Sequence, residues 1–285
     1  MGENYIYTNY FEDVNPGYEK NGFKLKDRKD PDEISTKLYD ALYKTFFYDY
    51  TRMCKYGINC AQIRGQKFKG PLFYSIFLLK DPKSLEVDFI LSSDYIGPSI
   101  NQMKLIGGYR DFEIKNLLRL SRTLGGHILW PRGYKGKPTI NQVRGGEIGK
   151  GYGFYDRIDW TLFLLKTYYF FIESIKDPCF ETYCKKTVEN FKDVEITEDD
   201  KRCFEALYKA FEDSYEWFKK FGTFKNFCDF FLLKGSFVDE TYEVLELTTF
   251  FPIKPVNYCE YVKNNIRAIN DRNELIKNNY IKKVI

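Results

Sequence analysis

SRTLGGHILWPRGYKGKPTINQVRGGEIGKGYGFYDRIDWTLFLLK, residues 121 to 166, is the stretch on which the reading of the whole chain turns. It runs from the end of a helix through a short apolar strand, His127 to Trp130, into a long basic segment rich in glycine, and then into a strongly apolar helix. Nine of the chain's 20 glycines fall between Gly125 and Gly153, a density that permits positive φ and close backbone approach. Gly125 and Gly126 stop the first helix, and Pro131 ends the strand. Asp156 suits the N-cap of the last helix, and Asp159 suits its first turn, where the helix dipole favours an anion. Apolar residues cover most of that helix's circumference (Ile158, Trp160, Leu162, Phe163, Leu164, Leu165), which predicts a central element buried on several sides.

Charge is concentrated in the same place. From Arg122 to Arg157 seven cations face two carboxylates, a surplus of five in a chain whose whole surplus is four. The total is too small to draw the entire surface to nucleic acid or anionic lipid, so any such attraction has to be local.

Working outward, residues 1 to 33 are polar and aromatic with turn signals at Pro16-Gly17, Asn21-Gly22 and Asp30-Pro31, and read as an irregular arm. A helix from Ser35 to about Met53 follows from Leu38, Leu42, Phe46 and Tyr50 at helical spacing. Residues 54 to 70 read as a loop, and 71–79 with 85–91 as a hairpin of two strands. Ser92-Ser93-Asp94, directly after them, reads first as a turn and second as a place where a site could be built. Asp111 can open the helix that ends before Gly125.

Beyond Lys166, helices are expected over about 180–191, from 196 to Gly222 as one long element, and from Phe224 to Lys234. A strand between Phe237 and Phe251 and a final polar helix from Tyr258 to Ile285 complete the chain. The fold class that results is α+β, mainly helical with a small antiparallel sheet, in a single compact domain. Its expected parts are an arm over 1–33, a domain over 34–251 and a C-terminal helical extension over 252–285.

Composition narrows the function classes. With 44% hydrophobic and 19% aromatic residues, a sizeable core can form and general disorder is excluded. No basic and apolar leader opens the chain and no membrane-length apolar run occurs, so a cytoplasmic protein without a membrane partner is expected. Seven scattered cysteines without paired CxxC spacing suit reduced thiols, and a zinc site from Cys54, Cys60 and His127 is the weaker reading of them. No metal site and no particular cofactor is expected, and no oligomeric state follows from the residues.

Several blocks in order, among them KDPDEISTKLYDALY (29–43), FILSSDYIGPS (89–99), TLGGHILWPRG (123–133), PTINQVRG (138–145) and DRIDWTLFLLKTYY (156–169), resemble an uncharacterised bacterial family carried under a domain-of-unknown-function label. The resemblance spans most of residues 10 to 245 and implies one intact domain of bacterial or phage type. It brings no activity with it.

Six residues carry the candidate chemistry. His127 is the only histidine and so the one side chain that ordinarily titrates near neutrality. Arg122 and His127, with four residues between them, match the spacing of the ribonuclease motif in HEPN-type toxins, although Gly125-Gly126 should break the helix that motif occupies. Asn141, Arg144, Arg157 and Asp159 form the preferred constellation: arginines to grip phosphate, an asparagine to read an amide or base edge, and Asp159 as a base or as the group that orients Arg144. The competing reading is an internal Arg–Asp network that pins the glycine-rich segment to the buried helix. The segment is neither a Walker A loop, since Arg144 stands where a glycine is required and Gly151 follows Lys150, nor a dinucleotide-binding GxGxxG turn.

Two functions follow. The first is an enzyme acting on nucleic acid or a nucleotide, such as a toxin or phage-defence effector, with His127 and Asp159 moving protons and Arg122, Asn141, Arg144 and Arg157 holding phosphate. The second is a non-catalytic module whose basic segment, interleaved with Tyr134, Tyr152, Phe154 and Tyr155, docks nucleic acid or an acidic partner.

Overall fold

The computed structural model describes residues 5–17, 35–46, 61–67, 72–78, 89–96, 111–131, 138–145, 157–174, 179–189, 198–245 and 255–284. In chain order these give α1 (Tyr10–Val14), α2 (Thr36–Phe46), β1 (Ala61–Lys67), β2 (Leu72–Leu78), β3 (Phe89–Tyr95) and α3 (Asp111–Ser121). A 3-10 turn, Leu124–Gly126, then leads into β4 (His127–Pro131). There follow α4 (Ile140–Gly145), α5 (Ile158–Ser174), α6 (Phe180–Glu189), α7 (Glu198–Glu212), α8 (Tyr215–Lys219), α9 (Phe224–Phe230) and α10 (Pro255–Val284). The helical predominance read from the sequence holds.

The strands pair antiparallel in the order β1-β2-β3-β4. Residues 61–67, expected as loop, pair with β2. Their sequence, AQIRGQK, has neither the apolar alternation nor the β-branched density that marks a strand, so its pairing comes from the neighbour rather than from its own propensity. Ser92, Ser93 and Asp94 lie inside β3 opposite Trp130, Leu129 and Ile128, not in a turn. The expected long helix from 196 is two helices, because the chain breaks at Asp213-Ser214 before α8, and Gly222, at φ +74°, ends the second. The expected strand after Phe237 is reduced to single bridges, Lys234 with Val238 and Val238 with Val244, and residues 246–251 fall outside the described ones.

At the centre is α5, buried along most of its length as its composition predicted. Tyr168 and Tyr169 meet Phe218 edge-on, Tyr183 lies 4.8 Å from Tyr208, and Trp130 of β4 stacks on Phe227 at 6.0 Å. Aromatic pairs at these separations add about 0.5–1.5 kcal/mol each beyond the area they bury. The N-terminal arm contains α1, capped by the Asn9 side chain, which accepts from the Phe11 and Glu12 N–H groups. It is tied to the 3-10 turn by Tyr10 N–H to Arg122 O and Leu124 N–H to Ile6 O. The last helix, α10, contributes Tyr261, Val262, Ile269 and Ile276 to the same core.

Candidate functional site

Arg144 ends α4 and is completely buried, a placement a guanidinium tolerates only when its charge is met inside. Asp94 of β3 meets it with an ion pair, and Thr161 Oγ1 of α5 accepts from Arg144 Nε at 3.0 Å. Thr161 in turn donates to Arg157 O at 2.8 Å, so β3, α4 and the first turn of α5 are joined by one side-chain chain. Asp94 reaches this place because the β3–β4 register sets it opposite Ile128 and next to the sheet end.

Arg157, one residue ahead of α5, is also buried and pairs with Asp159: its Nε donates to Oδ1 at 3.0 Å and its Nη2 to Oδ2. Its guanidinium lies over two rings, Trp160 at 5.7 Å and Tyr261 of α10 at 5.3 Å. The Tyr261 hydroxyl accepts the Ile158 N–H, one of the orphan donors of the α5 N-terminus, at 3.2 Å. Burial, and next the Asp159 carboxylate, push the Tyr261 phenol well above its ordinary range, which keeps it protonated.

The structure therefore brings Arg144, Arg157 and Asp159 together, with Asn141 half-buried one turn before Arg144. It pairs them differently from the expectation: Asp159 holds Arg157, and Asp94 is what holds Arg144. Both arginines are engaged by carboxylates of the same chain, and the arrangement is the internal network that competed with the anion-site reading.

Arg122 and His127 sit in a second group around the 3-10 turn. Arg122 is buried with its guanidinium 5.6 Å over the Phe11 ring. His127 is completely buried at the start of β4, with Nδ1 2.7 Å from Thr123 O and its ring edge-on to Tyr10 at 6.1 Å. Burial, helped by the charges of Arg122 and Arg272, lowers its pKa to about 3, while the Thr123 carbonyl opposes the shift. The imidazole is neutral at any physiological pH. In this arrangement neither His127 nor Asp159 faces solvent, and the helical setting of the HEPN-type motif is replaced by a turn and a strand.

Sequence reading missed the residues that hold this second group. Arg272 of α10, fully buried, donates from Nη1 to Gly125 O (2.9 Å) and His127 O (2.6 Å), and from Nε and Nη2 to Phe231 O (3.1 and 2.9 Å). Asn273 accepts the Gly125 N–H at 2.7 Å and donates to Thr123 Oγ1 at 2.8 Å. A Cβ on Gly125 would stand 2.6 Å from Asn273 Oδ1, and one on Gly126 2.2 Å from Ser121 O. The glycine pair is thus required by close packing under α10 and not by a ligand. The signal was present: Tyr261, Asn265, Ile269, Arg272 and Ile276 recur three and four apart on one face, but polar members hid it.

Among the described residues no cluster of three or more His, Cys, Asp or Glu side chains could hold a metal; Cys54 and Cys60 lie outside them. None of the described helices is long and apolar enough to cross a membrane.

Comparison with known proteins matches residues 18–193 to a family described as "Family of unknown function (DUF6994)". The chain is also 33% identical over 81 residues to "Uncharacterized protein L334" of Acanthamoeba polyphaga mimivirus. That stretch is 28% of this chain and 41% of the viral protein, so the chain spans well under two thirds of that relative. No solved structure matches.

Proposed function

Since the chain belongs to this family of unknown function, its activity has to be argued from its own residues, and we propose that it binds single-stranded nucleic acid through the basic, glycine-rich segment from Arg132 to Tyr155, without proton transfer by His127 or Asp159. The observation that carries this reading is the complete burial of Arg144 and Arg157 in ion pairs with Asp94 and Asp159. These pairs fasten α4, in the middle of the segment, and the start of α5, just after it. They are suited to holding a binding segment in place rather than to gripping its ligand.

The cations left for a ligand are Arg132, Lys135, Lys137 and Lys150, which lie outside the described residues. Tyr134, Tyr152, Phe154 and Tyr155 are interleaved with them, and that mixture suits stacked bases with phosphates held beside them. The competing enzymatic reading, in which the chain cleaves or modifies nucleic acid or a nucleotide as a toxin or phage-defence effector would, needs His127 or Asp159 to meet a substrate. Both are inside, and His127 stays neutral far below physiological pH.

Anisotropy titration of labelled oligo-dT and oligo-U against salt tests the proposal. Affinity should fall with salt by about 0.7 in log K per unit of log salt for each phosphate contact. Lys135→Glu with Lys137→Glu should weaken binding and flatten that slope. Absence of binding at low salt, or capture of an acidic protein without any oligonucleotide binding, contradicts it.

A further inference from the structure

The last helix is held very unequally along its length. Near its middle, Arg272 and Asn273 make the four and two hydrogen bonds described above to Phe231, Gly125, His127 and Thr123. Two turns earlier, Asn265 is completely buried, yet neither its side-chain carbonyl oxygen nor its amide nitrogen has a hydrogen-bond partner among the described residues. A buried amide left so costs about 1–3 kcal/mol, against about 0.5–1.5 kcal/mol gained per satisfied hydrogen bond. One turn before Asn265, Tyr261 rests on the Arg157 guanidinium and takes the Ile158 N–H at 3.2 Å. The end of α10 that touches the start of α5 is therefore the end that carries an uncompensated polar group.

We propose that the first turns of α10, Pro255 to Asn265, dock and undock from the start of α5 as a unit while Arg272 and Asn273 stay clamped, making the helix a hinged strap. Undocking lets water or a partner meet the Asn265 amide and removes the Tyr261 ring from Arg157. Since Arg157 closes the far end of the basic segment, the docked strap holds that end firm and the undocked strap loosens it. This consequence rests on the binding role given to the segment above; the hinge itself does not.

Local opening of this kind appears in hydrogen exchange as protection below the global value. In the full chain, amides of residues 260–267 should exchange at least about tenfold faster than those of 270–278, a difference worth about 1.4 kcal/mol. Asn265→Leu removes the uncompensated amide and should slow exchange in the first segment by about tenfold. Tyr261→Phe, which deletes the acceptor of the Ile158 N–H and keeps the ring, should speed it. Equal protection along both segments, or faster exchange in Asn265→Leu, overturns the strap. If Asn265→Leu slows exchange and oligonucleotide affinity does not change, the link to the basic segment is overturned while the hinge stands. If no oligonucleotide binds the wild-type chain, the binding role fails, and exchange alone decides the strap.

Discussion

Arg144, at the end of α4, pairs inside the protein with Asp94 of β3, a residue 50 positions earlier in the chain. The two charges satisfy each other and, through Thr161, fix the first turn of α5 against the sheet end. Removing one partner of such a pair strands a buried charge, whereas replacing both with apolar groups of similar size does not.

Arg144→Met or Asp94→Leu alone should accordingly cost about 3–5 kcal/mol of unfolding free energy. The double variant should recover most of that loss. Urea denaturation of the three variants, read as a double-mutant cycle, measures the coupling directly. Additive losses would show that the two side chains do not depend on each other.

Gly125→Ala and Gly126→Ala should destabilise the fold by overpacking, about 1–3 kcal/mol or more, because the added methyl meets Asn273 and Ile269 O in one case and Ser121 O in the other. Gly222→Ala makes a useful contrast. Nothing lies within 4 Å of its Cβ, and its cost, about 1–3 kcal/mol, comes from the positive φ alone. Pairing Gly125→Ala with Asn273→Ala should relieve part of the first loss and leave the Gly222 loss unchanged, as thermal melts would show.

These glycines mark what the sequence made legible and what it did not. Gly125-Gly126 was readable as a helix stop, and the buried α5 as a central helix, because both follow from local chemistry and periodicity. The partners were not readable. Asp94 is far from Arg144 in sequence, and which carboxylate meets which guanidinium depends on strand register. Arg272 and Asn273 sit on a helix whose buried face is partly polar, so a hydrophobic pattern could not assign them. β1 was missed because AQIRGQK is made a strand by its neighbour.

His127 supplies a pH dependence with a fixed sign. Its folded pKa, about 3, lies below the ordinary 6.5, so between those values the unfolded chain binds a proton that the folded chain refuses. Stability from this residue is fully present above pH 6.5 and is lost as pH falls towards about 3. Compared with His127→Asn, the wild type should lose urea midpoint more steeply over that window. Parallel curves would mean that the histidine charges freely in the folded state.

Tyr261→Ala should weaken the hold on Arg157 more than Tyr261→Phe does, since the ring over the guanidinium is lost along with the hydroxyl that accepts the Ile158 N–H. The expected order of melting temperature is wild type, then Tyr261→Phe, then Tyr261→Ala. Equal losses in the two variants would assign the effect to the hydroxyl alone.

The central claim is that Arg144 serves the fold and the lysines of the glycine-rich segment serve the ligand. Oligonucleotide affinity of the folded Asp94→Leu/Arg144→Met double variant, measured beside Lys135→Glu/Lys137→Glu, tests it most directly. The account predicts affinity within about twofold of wild type for the first and a loss of about tenfold or more for the second, the scale of one to two lost phosphate contacts. A tenfold loss in the folded Asp94→Leu/Arg144→Met variant, with the lysine reversals silent, would contradict it.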